Sequence, residues 1–187
     1  PNVWYNLART YYLCGQMAQA IAANSKAINF NPNHGEAYYN RGNVHTEVRE
    51  YEKAIADYKQ SLRINPNHWD AARNMALTYK EMQDYDACIA QFESMLKQYP
   101  NDAQVYRALG LTMRDIGDVP RAQEYLTKAV ALAPQDCEIR YNLGLVKKFN
   151  EQDRAELQQM EDMATKPDIA PRDGVYLHFT LGKAYDA

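Results

Sequence analysis

Histidine and cysteine are the residue types of this chain that are best suited to metal binding or nucleophilic chemistry. The histidines are His34, His45, His68 and His178, and the cysteines are Cys14, Cys88 and Cys137. No two cysteines form a CxxC pair, and the chain has no GxSxG, HExxH or phosphate-loop motif. We therefore expect no catalytic residue, no metal site and no cofactor. We interpret the cysteines as small core residues in a reducing, cytoplasmic compartment.

Two of the histidines share a sequence context. His34 and His68 are 34 residues apart, and each follows an Asn-Pro-Asn sequence. The sequence predicts that both lie in solvated turns between helices. His45 stands where the repeated pattern has a core tyrosine, so we interpret it as a packing residue whose hydrogen bonds are satisfied.

Asparagines recur at the same spacing. Asn6, Asn40 and Asn74 are 34 residues apart, and Asn142 continues the series after Ala108 interrupts it. An asparagine amide offers both a donor and an acceptor, so it can pair with the main chain of an extended peptide without reading the peptide's sequence. The alternative is that each amide only satisfies a neighbouring helix.

Basic residues follow the same period at two further positions. Arg73 and Arg107 form one set, Lys80, Arg114 and Lys148 form a second, and Arg9 joins them from the N-terminal part. Guanidinium groups bind carboxylates bidentately, so this set predicts an acidic peptide or the C-terminus of a polypeptide as the ligand. The alternative is pairing within the protein, between Glu47 and Lys80, Glu81 and Arg114, and Asp115 and Lys148.

The elements that carry these residues repeat every 34 residues. Pro32, Pro66, Pro100 and Pro134 mark the period. Between 35 and 68 the large and small residues fall on one face of each of two consecutive helices, and the Asn65-Pro66 sequence ends the second helix. A period of this length is typical of stacked helix pairs that share one continuous core.

Small residues stand where the two helices of a pair must approach closely. They are Ala8, Gly42, Ala76, Gly110 and Gly144 on the first helices, and Ala20, Ala54, Cys88 and Ala122 on the second. A glycine in mid-helix costs about 1 kcal/mol relative to alanine, so the three glycines predict a packing requirement. Tyr58, Phe92 and Leu126 are expected to fill the space between the helices.

These residues resemble the tetratricopeptide repeat (TPR) family. The pattern W-x₂-L-A-x₂-Y is formed by Trp4, Leu7, Ala8 and Tyr11, and Tyr106, Leu109 and Gly110 repeat its core. The resemblance implies an all-α, right-handed solenoid of antiparallel helix pairs in a single domain, 1–187. We expect five repeats and a partial sixth, at about 1–34, 35–68, 69–102, 103–136, 137–169 and 175–187.

The fifth repeat, 137–169, is irregular. Pro167 follows Pro134 by one residue less than the period, and the missing residue is expected in the turn near 150–153. A second helix is expected near 154–164, and an insertion is expected at 168–174 before the partial sixth repeat. This part resembles the TPR arm of bacterial TPR–sulfotransferase proteins, and we expect the chain to be a fragment of a longer protein.

The TPR resemblance also implies that the first helices line a concave groove. The groove residues that we expect to contact a peptide are Tyr5, Asn6, Arg9, Tyr39, Asn40, Asn43, Arg73, Asn74, Lys80, Arg107, Arg114, Tyr141, Asn142 and Lys148. The asparagines resemble the ladder of the O-GlcNAc transferase solenoid, and the tyrosines are either peptide anchors or packing residues. The carboxylate clamp of chaperone-binding relatives is not reproduced, because its three cations are replaced by Tyr39, Gln104 and Ala108.

The bulk properties narrow the class of function. The formal net charge is −3, which favours neither nucleic acid nor an anionic membrane, and no apolar run is long enough to span a bilayer. We predict a non-catalytic scaffold that binds an extended peptide or partner protein in its groove, with an acidic ligand among the candidates. The alternatives are the substrate-recruiting or regulatory arm of a larger transferase and a self-assembly module that forms a homo-oligomer.

Overall fold

The protein folds into helices throughout the part that the structure describes. The computed structural model describes residues 2–186, with Asn2 described by its backbone alone. Regular structure in this range is entirely helical, which confirms the all-α fold. The helices are α1 (Asn2–Leu13), α2 (Met17–Phe30), α3 (Gly35–Glu47), α4 (Tyr51–Ile64), α5 (Trp69–Glu81), α6 (Tyr85–Gln98), α7 (Ala103–Asp115), α8 (Val119–Leu132), α9 (Cys137–Val146), α10 (Arg154–Ala164) and α11 (Pro171–Tyr185), and a 3₁₀ turn (Glu151–Asp153) precedes α10.

The helices form two compact units. The N-terminal unit ends at Gln98 and contains α1 to α6, and the C-terminal unit begins at Tyr99 and contains α7 to α11. In the N-terminal unit each first helix packs on its own second helix, and α2 and α4 also pack on the first helices that follow them, α3 and α5. The single continuous domain and the repeat boundaries stay predictions.

The close approach of the two helices of a pair explains the small residue that stands eighth in each 34-residue repeat. A Cβ added to Gly42 would lie 2.7 Å from Cε1 of Tyr58, and one added to Gly110 would lie 2.5 Å from Cγ of Leu126. Both distances are shorter than carbon atoms tolerate, so these pairs require glycine. The predicted packing role of Gly42 and Gly110 is confirmed.

The turn inside each of the first four pairs contains one residue with positive φ. Gly15 and Gly117 adopt φ of 73° and 86°, and Arg49 and Gln83 adopt φ of 61° at the equivalent positions. Left-handed backbone is strained for any residue with a Cβ. The fold therefore imposes the same turn on all four pairs, whether or not a glycine is present.

The inter-pair turns end in helix N-caps. His34 Nδ1 accepts a hydrogen bond from the Ala37 N–H, and His68 Nδ1 accepts one from the Ala71 N–H. Asp102 and Asp136 cap α7 and α9 through their carboxylates at the same repeat position. His34 and His68 are therefore half-buried caps, whereas the sequence predicted solvated turn residues.

The helices after α8 pack differently from the first four pairs. α9 packs mainly on α11, and α10 also packs on α11, so α11 contacts both helices. A Cβ added to Gly144 would lie 2.6 Å from Cγ2 of Thr180 in α11. Lys183 Nζ donates to the carbonyls of Gly144 and Leu145 at 2.7 and 2.8 Å, which satisfies the end of α9.

The segment expected as an insertion is partly helical. α11 begins at Pro171, before the start of the partial repeat expected at 175–187. Proline fixes φ near its helical value and lacks an N–H that the first turn would leave unpaired, so it suits this position. Ala170 is extended, with φ −62° and ψ 138°, as a residue before proline prefers. α10 occupies 154–164, where the second helix was expected.

Candidate functional site

The first helices of the N-terminal unit line two adjoining cavities. The larger has a volume of about 510 Å³ and the smaller about 300 Å³, and Tyr12 and Asn43 line both. The other residues of the larger cavity are Thr46, Glu47, Arg49, Tyr51, Tyr58, Asn74, Leu77, Thr78 and Glu81. The other residues of the smaller cavity are Ala8, Arg9, Leu13, Asn24, Tyr39, Asn40 and Val44. Five predicted groove residues therefore line this face: Arg9, Tyr39, Asn40, Asn43 and Asn74.

A polar network connects three helices at the larger cavity. Asn43 Oδ1 accepts from the Tyr58 hydroxyl at 2.8 Å and from Asn74 Nδ2 at 2.9 Å. The hydroxyls of Thr46 and Tyr58 lie 3.1 Å apart, and those of Thr46 and Thr78 lie 3.3 Å apart. Asn74 is thus already bonded within the protein, as the alternative interpretation of the asparagines anticipated.

The Tyr58 hydroxyl remains a donor across the physiological range. Burial raises the pKa of Tyr58 to about 12, and this effect outweighs the opposing hydrogen bonds from Thr46 and Thr78. The sequence predicted Tyr58 only as a filler of the core and did not predict Thr46 or Thr78 at the site. A signal was available, because the hydroxyl of a buried tyrosine needs a hydrogen-bond partner.

The asparagines of the predicted ladder do not share one environment. Asn6 is exposed, Asn74 is bonded to Asn43, and Asn40 is half-buried with its Nδ2 unbonded within 2–186. Asn142 on α9 is only 6% exposed, and its Nδ2 also finds no partner in the described part of the protein. The equivalent positions therefore differ in what they offer to a ligand.

Carboxylates line the larger cavity. Glu47 and Glu81 are exposed at its wall, and Arg49 is the cationic residue of the lining. The Tyr12 hydroxyl donates weakly to Glu47 Oε1 at 3.4 Å. Burial and the Glu47 charge raise the pKa of Tyr12, so this hydroxyl is also a donor at neutral pH.

Several residues of the predicted basic set contact other protein groups. Arg73 lies over the Trp69 ring, with its guanidinium carbon 5.8 Å from the ring centroid. Arg107 Nη1 donates to Glu138 Oε1, and Arg114 forms an ion pair of 3.0 Å with Asp115. Lys80 is half-buried, whereas Arg9 and Lys148 are exposed.

The predicted aromatic anchors contact other rings. The rings of Tyr5 and His34 lie 5.1 Å apart, and those of Tyr39 and His68 lie 4.7 Å apart. In the C-terminal unit Tyr141 stacks on Tyr176 at 4.9 Å. Each of the three tyrosines remains half-buried, so part of each ring is accessible.

The histidines and cysteines differ in their surroundings. Within 2–186 no three histidine, cysteine or acidic side chains lie close enough to hold a metal ion. His45 is buried, with Nδ1 2.7 Å from Glu50 Oε2, as expected for a packing residue with a satisfied ring. Cys88 and Cys137 are buried, as predicted for core residues, whereas Cys14 is exposed, so its predicted core position is wrong. The described helices include none with the length and apolar character needed to cross a membrane.

Sequence comparisons find one repeat family. Models described as "Tetratricopeptide repeat" match residues 35–68 and 73–136, and a model described as "TPR repeat" matches residues 8–48. The curated proteins compared with this sequence include no match.

Solved structures of similar fold cover nearly the whole chain. MamA from Desulfovibrio magneticus is 18% identical with a TM-score of 0.69, and the match covers 100% of this chain and 97% of that chain. A tetratricopeptide repeat protein from Parabacteroides merdae is 18% identical with a TM-score of 0.70, over 98% of this chain and 70% of that one. YrrB, described as a TPR protein with an unusual peptide-binding site, is 16% identical with a TM-score of 0.62, over 98% and 84% of the two chains. At these identities the similarity shows the fold alone.

Proposed function

Because the chain belongs to the tetratricopeptide repeat family, we propose that it is a non-catalytic scaffold that binds an extended peptide segment of a partner protein. The proposed binding surface is the first-helix face of the N-terminal unit. The observation that carries the proposal is the pair of adjoining cavities on this face, which together present amides, hydroxyls and tyrosine rings.

The chemistry of the lining suits a peptide main chain. Asn40 has a donor without a protein partner within 2–186, and Tyr12 and Tyr39 offer rigid, half-exposed rings beside it. Amide side chains can pair with peptide groups, and tyrosine supplies contact area at a small entropic cost. The description of YrrB as a TPR protein with a peptide-binding site is consistent with such a role for this fold.

The charge of the ligand follows from which cations are accessible. Arg73, Arg107 and Arg114 already contact protein groups, so an acidic peptide must compete with those contacts. Arg9 is exposed on the smaller cavity, and Glu47 and Glu81 oppose an acidic ligand at the larger one. We therefore propose a ligand whose main chain and uncharged side chains dominate the contacts. The transferase arm and the self-assembly module stay alternative predictions.

The proposal is tested with peptides selected on the full chain from a random phage-displayed library. Fluorescence anisotropy then measures the affinity of a selected, labelled peptide for the unmodified protein, for Asn40→Ala and for Asn29→Ala. Asn29 is an exposed asparagine on α2 and serves as the matched control. We expect Asn40→Ala to weaken binding by about fivefold to tenfold, the value of one hydrogen bond, at unchanged helix content.

Two results would contradict this proposal. The first is a library that yields no peptide above background in repeated selections. The second is a set of peptides whose affinity is unaffected by Asn40→Ala and by Tyr12→Phe, because both residues line the proposed surface.

A further inference from the structure

The smaller cavity exists because the first helix pair departs from the repeat. The twenty-fourth residue of the second, third and fourth repeats is Tyr58, Phe92 and Leu126, respectively. The exposed fractions of these residues are 1%, 0% and 0%. Tyr58 packs on Gly42, and Leu126 packs on Gly110. The first pair has Asn24 at this position, and Asn24 lines the cavity of about 300 Å³ together with Ala8. A shorter, polar side chain thus replaces the bulky apolar one.

The asparagine that opens the cavity is deeply buried and incompletely bonded. Asn24 is 1% exposed, and its Oδ1 finds no hydrogen-bond partner among residues 2–186. A buried acceptor without a partner destabilises a fold, and native proteins keep few of them. Leucine at this position would remove the unpaired atom and fill the space, as Leu126 does in the fourth pair. Local departures of this kind concentrate at functional sites.

A donor complements this acceptor at the wall of the same cavity. Asn40 also lines it, and Asn40 Nδ2 is a second buried polar atom there that has no partner within the described residues. The terminal χ2 torsion of asparagine is soft, so a small rotation that keeps Asn24 Oδ1 as the acceptor and Asn40 Nδ2 as the donor lets both atoms meet a ligand in the cavity. Ala8, Leu13 and Val44 provide apolar walls around the two amides.

A carboxamide group on an apolar stem matches this lining. Its N–H donates to Asn24 Oδ1, its carbonyl accepts from Asn40 Nδ2, and its stem contacts the apolar walls. A carboxylate cannot donate to Asn24, and an apolar group leaves both asparagines unpaired. Arg9 also lines the cavity, but it makes no hydrogen bond to Asn24 Oδ1, which has no partner among residues 2–186.

We propose that this cavity binds one carboxamide group of the bound peptide, with the side chain of glutamine or asparagine as its source. The proposal rests on peptide binding as the function of the protein and adds a specificity to it. A main-chain peptide group carries the same chemistry. The buried polar atoms of this lining that lack a partner within 2–186 are one acceptor, Asn24 Oδ1, and one donor, Asn40 Nδ2. One such pair suits the end of a side chain better than a continuous main chain.

The test compares peptides that differ at one position. In peptides selected on the full chain, each glutamine or asparagine is replaced in turn by glutamate and by methionine, which are close in size to glutamine. We expect one position at which both replacements weaken binding by about tenfold, measured by fluorescence anisotropy. A second arm methylates each main-chain nitrogen in turn. Loss of binding from N-methylation at one bond, without a side-chain preference, overturns the side-chain source and assigns the main chain instead.

Protein variants locate the effect in this cavity. Asn24→Leu is expected to remove the tenfold preference and to raise the melting temperature, because it fills the space and removes the unpaired acceptor. Asn29→Leu, an exposed change on the same helix, is the matched control and keeps the preference. Should Asn24→Leu fail to fold, Asn40→Ala replaces it, since loss of the donor must also abolish the preference.

The outcomes separate this inference from the proposed function. One outcome is that peptides bind the protein with an affinity that neither replacement of a glutamine or asparagine nor N-methylation changes. That result overturns the carboxamide site and leaves peptide binding intact. A preference that persists in Asn24→Leu also overturns the site. Failure of any peptide to bind overturns the proposed function itself.

Discussion

At the scale of single residues, the left-handed turn positions show how the fold constrains side chains. Arg49 and Gln83 hold φ of 61° at positions where Gly15 and Gly117 relieve the same strain. The sequence predicted two consecutive helices between 35 and 68, but it did not reveal the strain at Arg49 and Gln83. The glycines at the equivalent positions 15 and 117 were a signal that comparison of the four turns could have used.

Gln83→Gly is therefore expected to stabilise the protein. Relief of left-handed strain outweighs the larger entropy of glycine in the unfolded state, and the net gain is about 0.5–1 kcal/mol. Urea unfolding measures this change. The reciprocal variant Gly117→Ala, at φ of 86°, should lose stability, and a loss on Gln83→Gly would contradict this explanation.

Ionisation of the Tyr58 hydroxyl makes the free energy of unfolding depend on pH in the alkaline range. Its pKa is raised from 10.0 to about 12 in the fold, mainly by burial, so the folded state holds the phenolic proton more tightly than the unfolded state. The stabilising contribution is fully present below pH 10 and is lost as the pH rises towards 12. In that window the free energy of unfolding should fall by up to about 1.4 kcal/mol per pH unit.

Tyr58→Phe isolates this effect. The variant loses the hydrogen bond to Asn43, so it should be about 1 kcal/mol less stable than the unmodified protein at neutral pH. Because phenylalanine does not ionise, the gap between the two proteins should close above pH 10. Urea titrations across the alkaline range measure the gap, and parallel curves would refute the assignment.

At the scale of helices, the 34-residue period predicts where the elements lie but not which helices pack together. The first four pairs follow the predicted pattern, since small residues such as Gly42 and Gly110 face bulky partners. Gly144 has the same sequence environment, yet it packs on Thr180 of α11. Packing partners depend on the turn after α9, and a turn of irregular length is not encoded in the period.

The caps of the first helices provide a test at the same scale. His34 Nδ1 accepts from the N–H three residues further on, as Asp136 does for α9. His34→Ala should lower the free energy of unfolding by about 1 kcal/mol, the usual value of an N-cap. Asn33→Ala, on the exposed neighbouring residue, is the control and should change stability little. Equal effects of the two substitutions would show that His34 does not act as a cap.

At the scale of the whole molecule, the chain divides into two compact units, which its composition and its 34-residue period did not predict. The sequence predicted one domain with a continuous core, because every repeat obeys the same template up to 136. It also predicted the face of the helices that carries the candidate site, including Asn40, Asn43 and Asn74. It did not predict the cavity beside Asn24, because a cavity depends on the volume missing between helices.

Local destabilisation should remain in one unit. Gly144→Ala places a Cβ 2.6 Å from Thr180, so it should destabilise the C-terminal unit by about 1–3 kcal/mol. Gly182→Ala is the matched control, because no atom lies within 4 Å of its added Cβ. Hydrogen exchange measured by mass spectrometry should speed up from Tyr99 onward in the first variant and stay unchanged before Gln98. Faster exchange in both units would contradict their independence.

The distribution of thiols gives this protein a ready attachment point for a reporter. Cys14 is exposed directly after Leu13, which lines the smaller cavity, whereas Cys88 and Cys137 are buried. Burial raises the pKa of the Cys137 thiol and so lowers its reactive thiolate fraction. A maleimide dye should therefore label Cys14 selectively in the unmodified protein, and its emission would respond when a ligand enters the neighbouring cavity.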